Sequence, residues 1–95
     1  MRLVEFAWDV TKAKRNLAKH GVSFDDAKTV FDDDLFIVFA DPDHSGEEKR
    51  FVIMGQSQRG RLLVVGYTER REAIRIISAR EATRREQDEY NEANA

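Results

Sequence analysis

Short connections between apolar runs constrain this chain more than any other feature. The runs KRFVIMGQS (49–57), RLLVVGYTE (61–69) and AIRIISA (73–79) are separated by Gln58-Arg59-Gly60 and by a polar turn at Arg70 to Glu72. Connections this short join antiparallel neighbours, because a parallel pair needs a crossover of about a dozen residues. A further run, LFIVFA (35–40), reads as a buried strand and reaches the first of them through the turn-rich loop DPDHSGEE. The pattern predicts an antiparallel β-meander.

The first third reads differently. Leu3 to Trp8 alternates as a short strand with Val4, Phe6 and Trp8 on its apolar face, and Asp9 is placed as the N-cap of a helix running to about His20. In that helix Val10, Ala13 and Leu17 form one face and Lys12, Arg15 and Lys19 the opposite one. Gly21 suits the left-handed position that ends a helix, with Val22 returning onto Leu17. Ser23 opens a second helix whose stripe is Phe24, Ala27, Val30 and Phe31, with Asp25 and Asp26 in the dipole-favoured first turn and Asp32 to Asp34 at its end. At the other end of the chain, Thr83 and Glu86 have capping-box spacing, so the last strand runs to about Arg80, a C-terminal helix follows, and a frayed tail begins near residue 91. The fold class is α+β, with two N-terminal helices and a C-terminal helix packed on the meander. At 95 residues, one domain spanning 1–95 is expected.

Composition narrows the function. Cysteine is absent, which excludes disulfides and thiolate metal sites and fits a reducing cytoplasm. No apolar run spans a bilayer, and MRLVEFAWDV lacks a signal-peptide core, so neither a membrane nor export is expected. The net charge of −2 is divided into blocks: +3 over residues 1–20, −6 over 21–58, +5 over 59–85 and −4 over 86–95. An acidic chain can therefore present a positive field if its first and third blocks meet. DPDHSGEE is acidic but lacks calcium-loop spacing, and neither a metal nor a cofactor is expected.

The arginines of the third block differ in kind. Arg84 and Arg85 sit among Glu86, Asp88 and Glu89, where helix pairing explains them. Arg50 and Arg61, at strand starts, read as exposed charges. Arg75 is embedded in AIRIIS, where a charge must find water, a carboxylate or a bound anion. Strict alternation puts Arg80 with Ile74, Ile76 and Ser78, and Arg75 with Ile77 and Ala79 on the opposite face, unless a bulge reconciles them. If the anion is RNA, attack by a 2′-hydroxyl on the adjacent phosphorus needs a base, cations on the phosphoryl oxygens and an acid for the leaving oxygen. Arginine suits the middle role, and His20, Glu48, Glu69 or Lys19 could move the protons.

The segments FAWDVTKAKRNLAKHGVSFDDAKTVF, EEKRFVIMG, GRLLVVGYTER and IRIISAREATRREQDEY closely resemble the BrnT toxins of bacterial type II toxin–antitoxin systems. The resemblance runs from about Glu5 to Tyr90, with KHGVSF and RIISAR its most specific parts. It implies a RelE-like fold and ribonuclease activity that halts translation, which with the metal-free reaction above gives a metal-independent endoribonuclease as the leading expectation. It also implies neutralisation by a BrnA-like antitoxin, a ribbon-helix-helix protein through which alone operator DNA is reached. Carried over by motif, the candidates are Lys19, His20, Glu48, Arg50, Glu69, Arg75 and Arg80. Of these His20, Glu48, Arg50, Glu69, Arg75 and Arg80 are expected to be catalytic, and Lys12, Arg15, Lys19, Arg61 and Arg70, as basic side chains, are expected RNA contacts. Where the family usually reads FEWD this chain has Phe6-Ala7-Trp8-Asp9, without the acidic residue before the tryptophan. The rival reading is a RelE-like module that binds RNA or a protein without cutting.

Overall fold

The computed structural model describes residues 4–41 and 48–95. Leu3 and most of the loop DPDHSGEE therefore lie outside the described residues. In chain order the elements are β1 (Glu5–Ala7), α1 (Val10–His20), α2 (Phe24–Lys28) with a 3-10 turn over Thr29–Asp32, β2 (Ile37–Ala40), β3 (Arg50–Gln56), β4 (Leu62–Arg70), β5 (Ala73–Glu81) and α3 (Arg84–Ala93). The five strands form one sheet in the order β1-β5-β4-β3-β2. From β2 to β5 every pairing is antiparallel, the expected meander, while β1 adds to β5 in parallel.

Each helix begins where its capping chemistry predicts. The Asp9 side chain accepts from the Lys12 N–H and the Ser23 hydroxyl from the Asp26 N–H. Thr83 and Glu86 form a reciprocal capping box. Gly21 closes α1 at φ 69°, where its N–H donates to the Leu17 carbonyl and a side chain would be strained.

Two apolar layers enclose the sheet. On its first face Val22, Phe24, Ala27 and Val30 from the α2 region meet Ile53, Leu63, Val65, Tyr67, Ile76 and Ala79. Phe31 joins Phe6 and Tyr67 edge to face, at centroid distances of 5.2 and 5.0 Å, and Trp8 meets Phe24 at 6.0 Å. On the second face α3 lays Tyr90, with Ala82, over Met54, Val64, Val52 and Leu62. Tyr90 also donates to Asp33 at 2.5 Å, which fastens α3 to the segment before β2.

Several expectations are corrected. LFIVFA is not a buried strand: β2 is the last strand of the sheet, and Leu35, Phe36, Val38 and Phe39 are each at least 41% exposed. Val4 is also exposed, at the other edge. In α1, Val10 and Leu17 are exposed, whereas Asn16 is buried. The reason is what the helix meets. Strand β1 pairs with β5 only as far as Arg75, so beyond it the polar edge of β5 needs a partner. Asn16 supplies one, accepting from the Ala79 N–H at 3.0 Å and donating to the Ala79 carbonyl at 2.7 Å and the Val22 carbonyl at 3.0 Å. The C-terminal tail is shorter than expected, since α3 continues to Ala93 and the Asn94 amide donates to the Leu35 carbonyl.

The strict alternation along β5 also fails. Gly66 pairs with Ser78 but the next residue, Tyr67, pairs with Ile76, so Ile77 is an extra residue in a β-bulge. Ile76 and Ala79 thus share the core face, and Arg75 and Arg80 share the other.

Candidate active site

Helix α3 covers only part of the second face. Toward the β4–β5 turn that face is crossed by successive rows of cross-strand neighbours: Val64 beside Arg80, Gly66 between Val52 and Ser78, and Thr68 between Arg50 and Arg75. A cleft of about 350 Å³ lies over the first two of these rows and reaches Arg50 of the third, lined by Arg50, Val52, Gly66, Ser78 and Arg80 together with Asp41 and His20. Gly66 makes its floor low, since a Cβ there would stand 2.6 Å from the Ser78 hydroxyl. His20 reaches the cleft because Asn16, one turn earlier on the same face of α1, docks that helix on the β5 edge.

Charge pairing divides the arginines. Arg80 grips Glu86 with both Nη atoms, at 2.7 and 2.9 Å, and this hydrogen bonding holds the Glu86 carboxyl down at about 2. Arg70 grips Glu48 at 2.5 and 3.2 Å. That hydrogen bond, with the charges of Arg70, Arg75 and Arg50, lowers the Glu48 carboxyl below its ordinary value. Glu48 is therefore a carboxylate near neutral pH, able to accept a proton but with reduced basicity. Arg61 bonds Glu81 at 3.0 Å and the Gly21 carbonyl at 3.1 Å, tying the end of α1 to β5. Arg84 pairs with Asp88 along α3, as helix spacing predicts. Among the described residues, the guanidinium groups of Arg50 and Arg75 make no ion pair and no hydrogen bond.

The structure thus lines one cleft with His20, Arg50 and Arg80, and sets Arg75 beside it in the row of Thr68, with Glu48 and Arg70 near by. It separates Glu69, which pairs with Ile74 and belongs to the face opposite Thr68 and Arg70. Lys12, Arg15 and Lys19 are exposed on α1. Lys12 and Lys19, seven residues apart, share the flank opposite Val10 and Leu17. The first and third charge blocks do meet, through the packing of α1 on β5. A wider hollow of about 590 Å³ is lined by Asp32, Asp33 and Asp34, and its charge disfavours an anion. Among the described residues no group of three or more His, Asp or Glu side chains is gathered to hold a metal ion, and no helix is long and apolar enough to cross a membrane.

Sequence reasoning missed Asn16 and Thr68. A signal existed for Thr68: in VVGYTER, Gly66, Thr68 and Arg70 fall on one face at strand spacing, and none of them is apolar enough to pack a core. Asn16 had only the hint of being a polar residue three after Ala13 and four before His20.

Fold and site together define a small α+β protein with an arginine-bearing cleft on a partly covered antiparallel sheet. A family model described as "Ribonuclease toxin, BrnT, of type II toxin-antitoxin system" matches residues 8–86, and the chain belongs to that family. Membership implies an antitoxin partner. The fold is similar to the 1.1 Å crystal structure of the Brucella abortus ribonuclease toxin BrnT, at 22% identity over 86% of this chain and 100% of that one, with a TM-score of 0.63. No curated protein matches the chain.

Proposed function

We propose that this ribonuclease toxin is a metal-independent endoribonuclease of RelE-like fold, acting as one domain in the cytoplasm to halt translation. Its antitoxin is a BrnA-like ribbon-helix-helix protein, and operator DNA is engaged only through that antitoxin. The observation that carries the reading is the pair of guanidiniums, Arg50 and Arg75, that make no ion pair among the described residues and stand on the open face of the sheet beside a cleft that His20 lines.

In the proposed reaction the 2′-oxygen attacks the adjacent phosphorus, the O2′–P bond forms and the P–O5′ bond breaks. The products are a 2′,3′-cyclic phosphate and a 5′-hydroxyl end. The proton from the 2′-hydroxyl passes to a base, and the leaving 5′-oxygen takes one from an acid. Arg50 and Arg75 stabilise the charge that builds on the non-bridging oxygens, where a planar, permanently charged donor is worth most. The His20 imidazole can both take and give a proton. Glu48 can take one, while Glu69, on the opposite face, is a weaker candidate. Lys12, Arg15 and Lys19 extend the positive surface that the RNA follows.

The test is cleavage of RNA by purified protein in EDTA. Arg50→Ala with Arg75→Ala is expected to lower the rate by about a hundredfold or more, the usual cost of removing preorganised transition-state donors. Absence of cleavage above the double variant would sink the enzyme reading. Expression is expected to arrest growth, with relief by coexpressing the antitoxin. One observation favours the rival, a module that binds without cutting: Arg70 and Arg80 are both neutralised by carboxylates. That rival predicts RNA binding at wild-type strength with no product in the same assay.

A further inference from the structure

Thr68 is a polar residue in an apolar residue's place. It is 2% exposed, and its hydroxyl has no hydrogen-bond partner among the described residues. A buried hydroxyl without a partner is destabilising relative to the isosteric valine, which fills the same space without a polar group. Packing alone therefore does not account for it.

Its neighbours suggest what does. In register on either side of Thr68 stand Arg50 of β3 and Arg75 of β5. Two strand spacings of about 4.8 Å set the Cα atoms of those arginines about 10 Å apart, so a tetrahedral anion fits between their side chains once the groups that cover Thr68 part around it. On the same face of β4, Gly66 presents no side chain and Arg70 turns to Glu48. The arginines engaged elsewhere each bond a glutamate directly, whereas the two flanking Thr68 make no ion pair among the described residues and reach Glu48 only by their charge.

We propose that Arg50, Thr68 and Arg75 form a three-strand subsite for one phosphodiester group, in which the Thr68 hydroxyl donates to a non-bridging oxygen held between the two guanidiniums. The arginines supply charge and planar forks. Thr68 supplies a short donor fixed to the sheet, so it positions the phosphate and takes no part in proton transfer. The inference rests on the proposed ribonuclease reading for the identity of its ligand, but binding can be measured without cleavage.

The experiment compares wild type, Thr68→Val and Thr68→Ser by thermal unfolding and by affinity for a short 2′-O-methyl oligoribonucleotide, which lacks the attacking hydroxyl. Thr68→Val is expected to melt at or above the wild-type temperature and to bind about tenfold more weakly, the worth of one hydrogen bond to a charged group. Thr68→Ser is expected to bind within about twofold of wild type, because the hydroxyl is kept. Unchanged affinity in Thr68→Val overturns the subsite. So does a lowered melting temperature in that variant, since the hydroxyl would then be serving the fold. If wild type fails to cut RNA while Thr68→Val still weakens binding, the subsite stands and the ribonuclease reading falls. If wild type cuts and Thr68→Val binds normally, the reverse holds.

Discussion

Asn16 stands in for a missing strand. Its side-chain amide has the same donor and acceptor as a peptide group, and it meets both polar atoms of Ala79 while also donating to the Val22 carbonyl. Asn16→Ala leaves those backbone groups unpaired next to a buried site and is expected to cost about 2–3 kcal/mol in chemical denaturation. Asn16→Asp is the sharper probe. A carboxylate can still accept from the Ala79 N–H but faces two carbonyl oxygens with nothing to donate, so its proton is favoured in the folded state and its folded pKa is raised. The variant should be less stable than wild type at neutral pH and should recover as pH falls, the opposite of ordinary acid denaturation. A variant that loses stability steadily on acidification would show that Asn16 makes no such donation.

The Arg80–Glu86 pair gives the other pH dependence. The folded Glu86 pKa is depressed from 4.5 to about 2, first by its hydrogen bond from Arg80. A depressed carboxyl stabilises the fold above its unfolded pKa, and that contribution is lost as pH falls through the folded value, here between about 4.5 and 2. Because the pair is part-exposed, solvent screening limits the coupling to about 1 kcal/mol in an Arg80→Ala, Glu86→Ala double-mutant cycle at pH 7. The cycle should shrink steadily as pH falls from about 4.5 toward 2 if the interaction is ionic.

At the scale of elements, the strands and helices of this chain were largely legible because their signals are local. The caps at Asp9, Ser23 and Thr83 and the short turns between β3, β4 and β5 are read within a few residues, and each is found where local chemistry puts it. What was not legible depends on partners distant in sequence. Three residues of β1 cannot announce a parallel pairing with Ala73 to Arg75, and the exposure of Val38 and Phe39 follows from β2 having no further strand beside it. The bulge at Ile77 belongs to the same class. Nothing in AIRIISARE marks it, yet it decides whether Arg75 and Arg80 share a face. A deletion tests it. Removing Ile77 restores plain alternation and leaves Ile74, Ile76 and Ala79 on the core face, with both arginines still opposite. That variant should unfold cooperatively, with a loss of about 1–2 kcal/mol from the part-buried side chain. Removing Val65 from the unbulged partner strand instead flips one end of β4, putting Tyr67 or Leu63 on the wrong face, and is expected to abolish cooperative unfolding. Equal damage from the two deletions would mean that Ile77 is a paired residue.

For the molecule as a whole, a net charge of −2 argues against an RNA partner only if charge is spread evenly. The fold concentrates it. Helix α1 packs on β5, so the +3 and +5 blocks adjoin, while Asp32 to Asp34 line a separate hollow. Part of the positive block is spent internally: Arg61, Arg70 and Arg80 each answer a glutamate, so on the open face of the sheet it is Arg75 of that block, with Arg50 from the acidic block and the lysines of α1, that is left to meet phosphate. The arginine count alone, eight over residues 59–85, would predict a steep dependence of binding on salt. Internal pairing predicts a shallow one. With about three or four phosphates neutralised, log affinity for a single-stranded oligonucleotide should fall with log salt at a slope of about −2 to −3. Arg75→Ala should flatten that slope by about 0.7, the share of one phosphate contact, whereas Arg61→Ala should leave it unchanged while weakening the tie between Gly21 and Glu81. A slope of about −4 would mean that RNA pulls Arg70 and Arg80 off their carboxylates. Glu86→Gln, which releases Arg80 in advance, would then raise affinity at every salt concentration. Under internal pairing alone, the gain from Glu86→Gln should instead be confined to low salt, where an added long-range positive charge is least screened.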